Sequence, residues 1–279
     1  MTRFTRAIAH AGRGLAVGVA DLVPGVSGAT IALILGIYEK LILEISGLIR
    51  RPRRFSDLRE NLTRDWTFLI LTGMGVATAV LLGSHIIPRL VANHPLIVFS
   101  LFSGLIASSA VILARGVHGT KRQTFWLISG ALIGAGIAMS PVGIDVPVTN
   151  TSTIIAGFFA IGAMLIPGIS GSYVLVLLGY YTHVFTAIST FDIGFLSFFA
   201  LGAAGGALSA VTIISRLLKK YHTQTMLLLI GLVAGALGRP LGIAVEAAST
   251  SSDIIVLVGV FCVGVLLTTL LMHLGTRRS

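Results

Sequence analysis

Pro24-Gly25-Val26-Ser27-Gly28 recurs 143 residues later as Pro167-Gly168-Ile169-Ser170-Gly171. Each copy interrupts an apolar stretch near its middle: residues 14–23 and 29–37 flank the first, 153–166 and 172–188 the second. Proline lacks a backbone donor and glycine is a poor helix former, so each pentapeptide stops a helix. Ten residues, 14–23, would rise only about 15 Å as a helix, half of a hydrocarbon core. Regions 14–49 and 153–189 are therefore read as re-entrant or broken helical hairpins, with Pro24, Gly25, Pro167 and Gly168 as the helix breaks. Irregular backbone at membrane depth persists only where it is buried in protein or lines a wet cavity.

The surrounding chain fits a bilayer. Its 279 residues are 55% hydrophobic and only 11% charged, with a mean hydropathy of +0.97. An ordinary soluble domain carries about a quarter charged residues. The composition excludes a soluble globule, a disordered chain, a collagen and a disulfide scaffold. Segments 66–88, 95–114, 124–140, 194–214, 224–240 and 253–274 are long and apolar enough to span. The single cysteine, Cys262, precludes an intramolecular disulfide. Between Phe261 and Val263 it is expected to be a small buried hydrophobe. Arg3 and Arg6 precede no short apolar region with a cleavage site, so no cleaved signal peptide is expected.

The match extends beyond the pentapeptides. Leu35, Gly36 and Tyr38 correspond to Leu178, Gly179 and Tyr181. Further on, Gly104-Leu105-Ile106-Ala107 resembles Gly231-Leu232-Val233-Ala234. The chain is read as an all-α polytopic membrane protein made of two repeats, 1–150 and 151–279. Each holds one hairpin and three transmembrane helices. If each hairpin returns to the side it entered from, three spans leave the second repeat inverted. The net charge of +10 bears on this. With the N-terminus in the cytoplasm, 18 of the 20 Lys and Arg residues fall on the inner side, Arg50–Arg54 and Lys219-Lys220 among them, and only Arg89 and Arg239 on the outer. Basic residues collect in cytoplasmic loops, so both termini are expected inside. A segment 172–188 running straight across the membrane would reverse everything downstream of it.

Inverted repeats with discontinuous helices at the midplane belong to secondary transporters. Ser27 and Ser170 stand where a helix N-cap should be. A helix N-terminus offers unsatisfied N–H groups and partial positive charge, which suit an anion and above all a phosphate. Ser27, Gly28, Thr30, Ser170, Gly171 and Ser172 are the expected phosphate contacts. A second reading has these small residues only permit close helix crossing. Asp21, three residues before the first break, is an acid inside an apolar stretch and hence a candidate site for a coupling proton or cation, or else the partner of a base such as Arg13; Met164 takes its place in the second repeat. Arg239 is the candidate for bidentate capture of the phosphate at the outer leaflet, or else an interfacial snorkelling arginine.

Ala20-Asp21-Leu22-Val23-Pro24-Gly25-Val26-Ser27-Gly28-Ala29-Thr30, followed by Leu35-Gly36-Ile37-Tyr38-Glu39, resembles the first motif of the PopT-type polyprenyl-phosphate transporters. Ile166-Pro167-Gly168-Ile169-Ser170-Gly171-Ser172 is similar to their second. His94-Pro95 leading to Phe102-Ser103-Gly104 also fits. The resemblance covers essentially the whole chain. It implies a flippase of the bacterial cytoplasmic membrane that returns undecaprenyl phosphate from the outer to the inner leaflet, where the lipid carrier is reloaded for cell-envelope synthesis.

The alternative is a secondary transporter or channel for a small anion using the same helix ends. An enzyme is not expected. Ser215-Arg216 and His222 match part of a lipid-phosphatase pattern, but its final acid would fall on Met226, and no metal-ligand or nucleotide-binding spacing occurs. The expected partners are the polyprenyl-phosphate lipid and the bilayer, with no nucleic acid, no metal and no cofactor beyond a coupling ion. The oligomeric state stays open, because the pairs Gly202/Gly206 and Gly231/Gly235 could pack helices within one chain or between chains.

Overall fold

The computed structural model describes residues 3–23, 25–49, 65–117, 120, 123–140 and 146–276. Pro24, the basic cluster at 50–64, Lys121, Arg122, Arg277 and Arg278 lie outside the described residues. The first hairpin region contains α1 (Arg3–Asp21), α2 (Gly28–Ile34) and α3 (Tyr38–Ile49), and the chain continues through α4 (Trp66–Asn93), α5 (Pro95–Gly116) and α6 (Thr124–Ala138). The second contains α7 (Asn150–Met164), α8 (Gly171–Leu177) and α9 (Tyr181–Thr190), followed by α10 (Ile193–Lys220), α11 (His222–Ala236), α12 (Gly238–Glu246) and α13 (Ser251–Thr276). The fold is all-helical, with no strand among the described residues.

Five segments have the length and apolarity of a membrane span: Trp66–Gly83, Pro95–Gly116, Ile193–Lys220, His222–Glu246 and Ser251–Leu270. The protein is a multi-pass membrane protein. Leu81, Leu82, Leu132, Ile255 and Leu266 are each at least two-thirds exposed. An aqueous surface does not sustain that much bare apolar area.

Several boundaries differ from the sequence reading. The first hairpin does not begin at 14: α1 starts at Arg3 and its 19 residues reach about 28 Å. Helix formation continues through the basic segment because Arg, Ala and Leu are good helix formers. Residues 172–188 do not run straight, since α8 and the first two turns of α9 meet at 113°. The span expected at 224–240 runs on to Glu246: past an irregular residue at Leu237, its continuation α12 carries Arg239 inside the span rather than at its end. Cys262 is exposed on α13, not buried. In a bilayer, apolar neighbours surround a residue whether it faces protein or lipid.

Helix pairs are held by glycines. α1 packs on α4, α7 on α10, α6 on α11 and α5 on α13. A side chain on Gly14 would collide with the backbone of Thr72, on Gly206 with Phe158, on Gly231 with Leu127 and on Gly264 with Leu101. Without a hydrophobic drive between helices in lipid, close backbone approach supplies the attraction. Gly202, Gly206, Gly231 and Gly235 are thus engaged within the chain. The packing has a repeating order. The first helix of each half lies on the helix after its hairpin region, and the next helix of each half lies on the last helix of the other.

Local geometry repeats as well. The side chain of Asp65 caps α4 by accepting from the Phe68 N–H, and 127 residues later Asp192 caps α10 by accepting from the Phe195 N–H. At one end of the bundle, adjacent residues of α3 reach two partners. The Lys40 ammonium donates to Asp65 and lies over the Phe68 ring, while Glu39 meets the His222 Nε2 at 3.0 Å. The hydrogen bond from Lys40 holds the Asp65 carboxyl below the usual carboxylate range.

Candidate functional site

Both pentapeptides break the backbone as their residues dictate. Gly25 has φ +82° and Gly168 φ +87°, conformations that a side chain disfavours. Ser27 and Ser170 follow in extended conformation as the N-caps of α2 and α8. Each hairpin region breaks a second time at Gly36 (φ +67°) and Gly179 (φ +72°). There the helix ends in paired bonds: Gly36 N–H donates to Leu33 and Ile37 N–H to Ala32, as Gly179 N–H does to Val176 and Tyr180 N–H to Leu175. α2 and α8 are therefore isolated seven-residue helices between two breaks.

The two hairpin regions touch at their breaks. The Gly168 N–H donates to Thr30 Oγ1 at 2.8 Å, and the Tyr38 hydroxyl donates to the Leu165 carbonyl at 2.9 Å. Pro167 is fully buried behind them. Arg239 joins this junction from α12. Its Cγ lies 3.4 Å from where a Cβ would stand on Gly25, and its guanidinium lies 5.4 Å from the centre of the Tyr173 ring. Arg239 is half-buried, set within an apolar span and against both hairpins, which makes it a candidate functional residue.

The two N-caps are not alike. In the second hairpin, Ser170 Oγ accepts from the Tyr173 N–H at 3.4 Å and bonds Ser172 Oγ at 2.9 Å. In the first, the Gly28 N–H donates instead to Asp21 Oδ1 at 2.7 Å. The Ser27 hydroxyl is left buried with no hydrogen-bond partner. A side chain on Gly28 would overlap the Asp21 carboxylate; one on Gly171 would press on Ala160 and Met164. Glycine is needed at both positions for close approach.

The structure thus joins Thr30 to Gly168, sets Arg239 against Gly25 and Tyr173, sets Asp21 on Gly28, and pairs Ser170 with Ser172. It does not join Ser27 to Ser170 by a hydrogen bond. Sequence reasoning missed Ser100 and Ser103, one turn apart on α5, the helix that packs on α12. Their hydroxyls are fully buried and unpartnered. A serine inside a helix ordinarily bonds the carbonyl four residues back, as Ser108 does with Gly104 and Ser109 with Leu105. Nothing in the local sequence separates the two kinds.

The model of a family described as undecaprenyl phosphate translocase-like matches residues 17–254. A polyprenyl-phosphate transporter of Vibrio cholerae serotype O1 is 36% identical over 233 residues, covering 81% of this chain and 74% of that protein. A polyprenyl-phosphate transporter of Staphylococcus aureus is 34% identical over 244 residues, covering 81% and 83%. No solved structure gives a significant match.

Proposed function

Because this chain belongs to the undecaprenyl phosphate translocase-like family, we propose that it transports polyprenyl phosphate, and that it does so as a flippase returning undecaprenyl phosphate from the outer to the inner leaflet of the bacterial cytoplasmic membrane. The observation that carries the site is the junction of the two hairpin regions with Arg239 set against both. A phosphate there would meet the guanidinium, the turn at 25–28 and the Ser170–Ser172 pair. Its isoprenoid tail needs only an apolar lateral path.

The inverted repeat belongs to this reading. It is supported by glycines of positive φ at 25 and 36 and again 143 residues later, by the aspartate caps at 65 and 192, and by the matching order of helix pairing. Cytoplasmic termini are supported by the meeting of Glu39 and Lys40 with His222 and Asp65, close in sequence to Lys219 and Lys220.

The test is reconstitution in liposomes with a leaflet-selective phosphate probe. Undecaprenyl phosphate is expected to leave the outer leaflet faster than an anionic phospholipid does. Equal rates would sink the assignment, and uptake of inorganic phosphate without lipid movement would replace it with the small-anion reading. Ser27→Ala sharpens the test. Removing a buried hydroxyl that has no partner relieves a desolvation penalty, so a thermal melt should show equal or higher stability. Transport should nonetheless fall about tenfold, the factor that accompanies loss of one hydrogen bond to a charged group. Full activity would remove Ser27 from the site.

A further inference from the structure

Asp21 and Arg239 are two charges beside the first break that the duplication does not repeat. Met164 stands where a second Asp21 would be, and Ile112, on the unbroken helix α5, where a second Arg239 would be. Both border the same turn. The Asp21 carboxylate holds the Gly28 N–H, Arg239 lies against Gly25, and Ser27, 96% buried with a free hydroxyl, stands between. Among the described residues no ion pair holds Asp21. An acid at an apolar break, on a backbone donor rather than on a cation, takes the place an anionic ligand would take.

We propose that the Asp21 carboxylate is the resident anion of the site, holding the Gly28 N–H while no substrate is bound and displaced from it by the lipid phosphate. The inference rests on the reading that the hairpin junction receives that phosphate. One N–H cannot serve both acceptors, and two anions that close repel strongly away from bulk water. The geometry at Gly28 is built for the exchange: the absent Cβ leaves the carboxylate room to lie on the N–H and to leave it. The role of the exchange is in the return step. With Asp21 in place, the empty transporter reorients without an unsatisfied N–H at Gly28. With lipid in place, the phosphate does the same service.

Asp21→Asn tests this, since it keeps the shape and one oxygen acceptor but removes the charge. Two rates are measured in liposomes: net movement of undecaprenyl phosphate into a leaflet that lacks it, and one-for-one exchange when both leaflets contain it. The variant is expected to bind undecaprenyl phosphate about tenfold more tightly, a gain of ~1.4 kcal/mol. Net movement should fall at least about tenfold while exchange stays within about twofold of the unaltered protein. If Asp21 is only a structural cap, the two rates change together or not at all, and the proposal fails. If it holds a coupling cation, binding weakens, and the proposal fails. Asp21→Ser is the second neutral variant should the asparagine protein not be recovered folded. If the unaltered protein moves no undecaprenyl phosphate, the functional reading itself falls, a result visible before any variant is made.

Discussion

Replacing Arg239 by Gln is expected to lower undecaprenyl phosphate transport by about a hundredfold or more while the protein still inserts and folds. A charge-assisted, bidentate contact to phosphate contributes about 3 kcal/mol in a site shielded from water, and that corresponds to a factor of this size. Glutamine keeps much of the side-chain length and two N–H donors but no charge. Arg239 makes its described contacts to the Tyr173 ring and the Gly25 turn. Among the described residues no ion pair would be left with an uncompensated acid. Stability should therefore change little, or rise slightly, because an apolar span loses a costly charge. Lysine should rescue only in part, since it offers a point charge without the planar fork. The measurement is transport rate per folded molecule, with folding checked by size-exclusion in detergent. Transport within twofold of the parent would move the phosphate site away from α12.

The second large effect concerns two glycines on one helix. Gly264→Leu is expected to destabilise the fold by about 3 kcal/mol or more, at the upper end of overpacking effects, and Gly259→Leu by almost nothing. On α13, a side chain at 264 would meet the backbone of Leu101, the Leu105 N–H and the Cα of Gly104. None of these can rotate away, so the helices α5 and α13 must separate along their contact. At 259 a side chain would meet nothing within 4 Å. Thr268, one turn beyond Gly264, is fully buried and donates to the carbonyls of Gly264 and Leu105, a bond that separation would also break. Detergent-resistance or thermal-melt comparison of the two variants decides the matter. Equal effects would mean that α5 and α13 do not pack as described.

Local signals were the ones legible in the sequence. Pro167 with Gly168, and the Pro24–Gly25 pair, change what the backbone can do at one point, so the breaks and their serine N-caps were readable from residue type alone. The spans were readable because hydropathy is a property of a stretch. What escaped were events without a local mark. Gly36 and Gly179 end helices in runs whose hydropathy does not change, and a lone glycine there reads as a packing residue. Gly238-Arg239-Pro240 reads as the end of a span, yet the chain resumes as α12 and keeps Arg239 within it. The bond from Gly28 to Asp21 crosses a break, so no helical spacing announces it. The outward face of Cys262 escaped because lipid and protein interior present the same apolar company. Asp65 and Asp192 were missed as caps although each sits three residues before a phenylalanine in matching Leu-containing contexts; aligning the halves at the second offset of 127 would have found them.

The pairing of α5 with α13 sets an order of biosynthesis. Gly104 meets the backbone of Phe261 and Gly264 that of Leu101, so a face made early waits for a helix made almost last. At synthesis rates of about 5–20 residues per second, the 160 residues from 104 to 264 take roughly 8–30 s to emerge. During that interval the nascent first half sits in the bilayer with a bare glycine groove on α5 and another on α6, whose partner α11 is also still to come. In that interval the α13 of a completed neighbouring copy fits the groove without competition from the chain's own, whose tether favours it once it is made. Crowded translation of this message should therefore yield dimers that have exchanged their last helix.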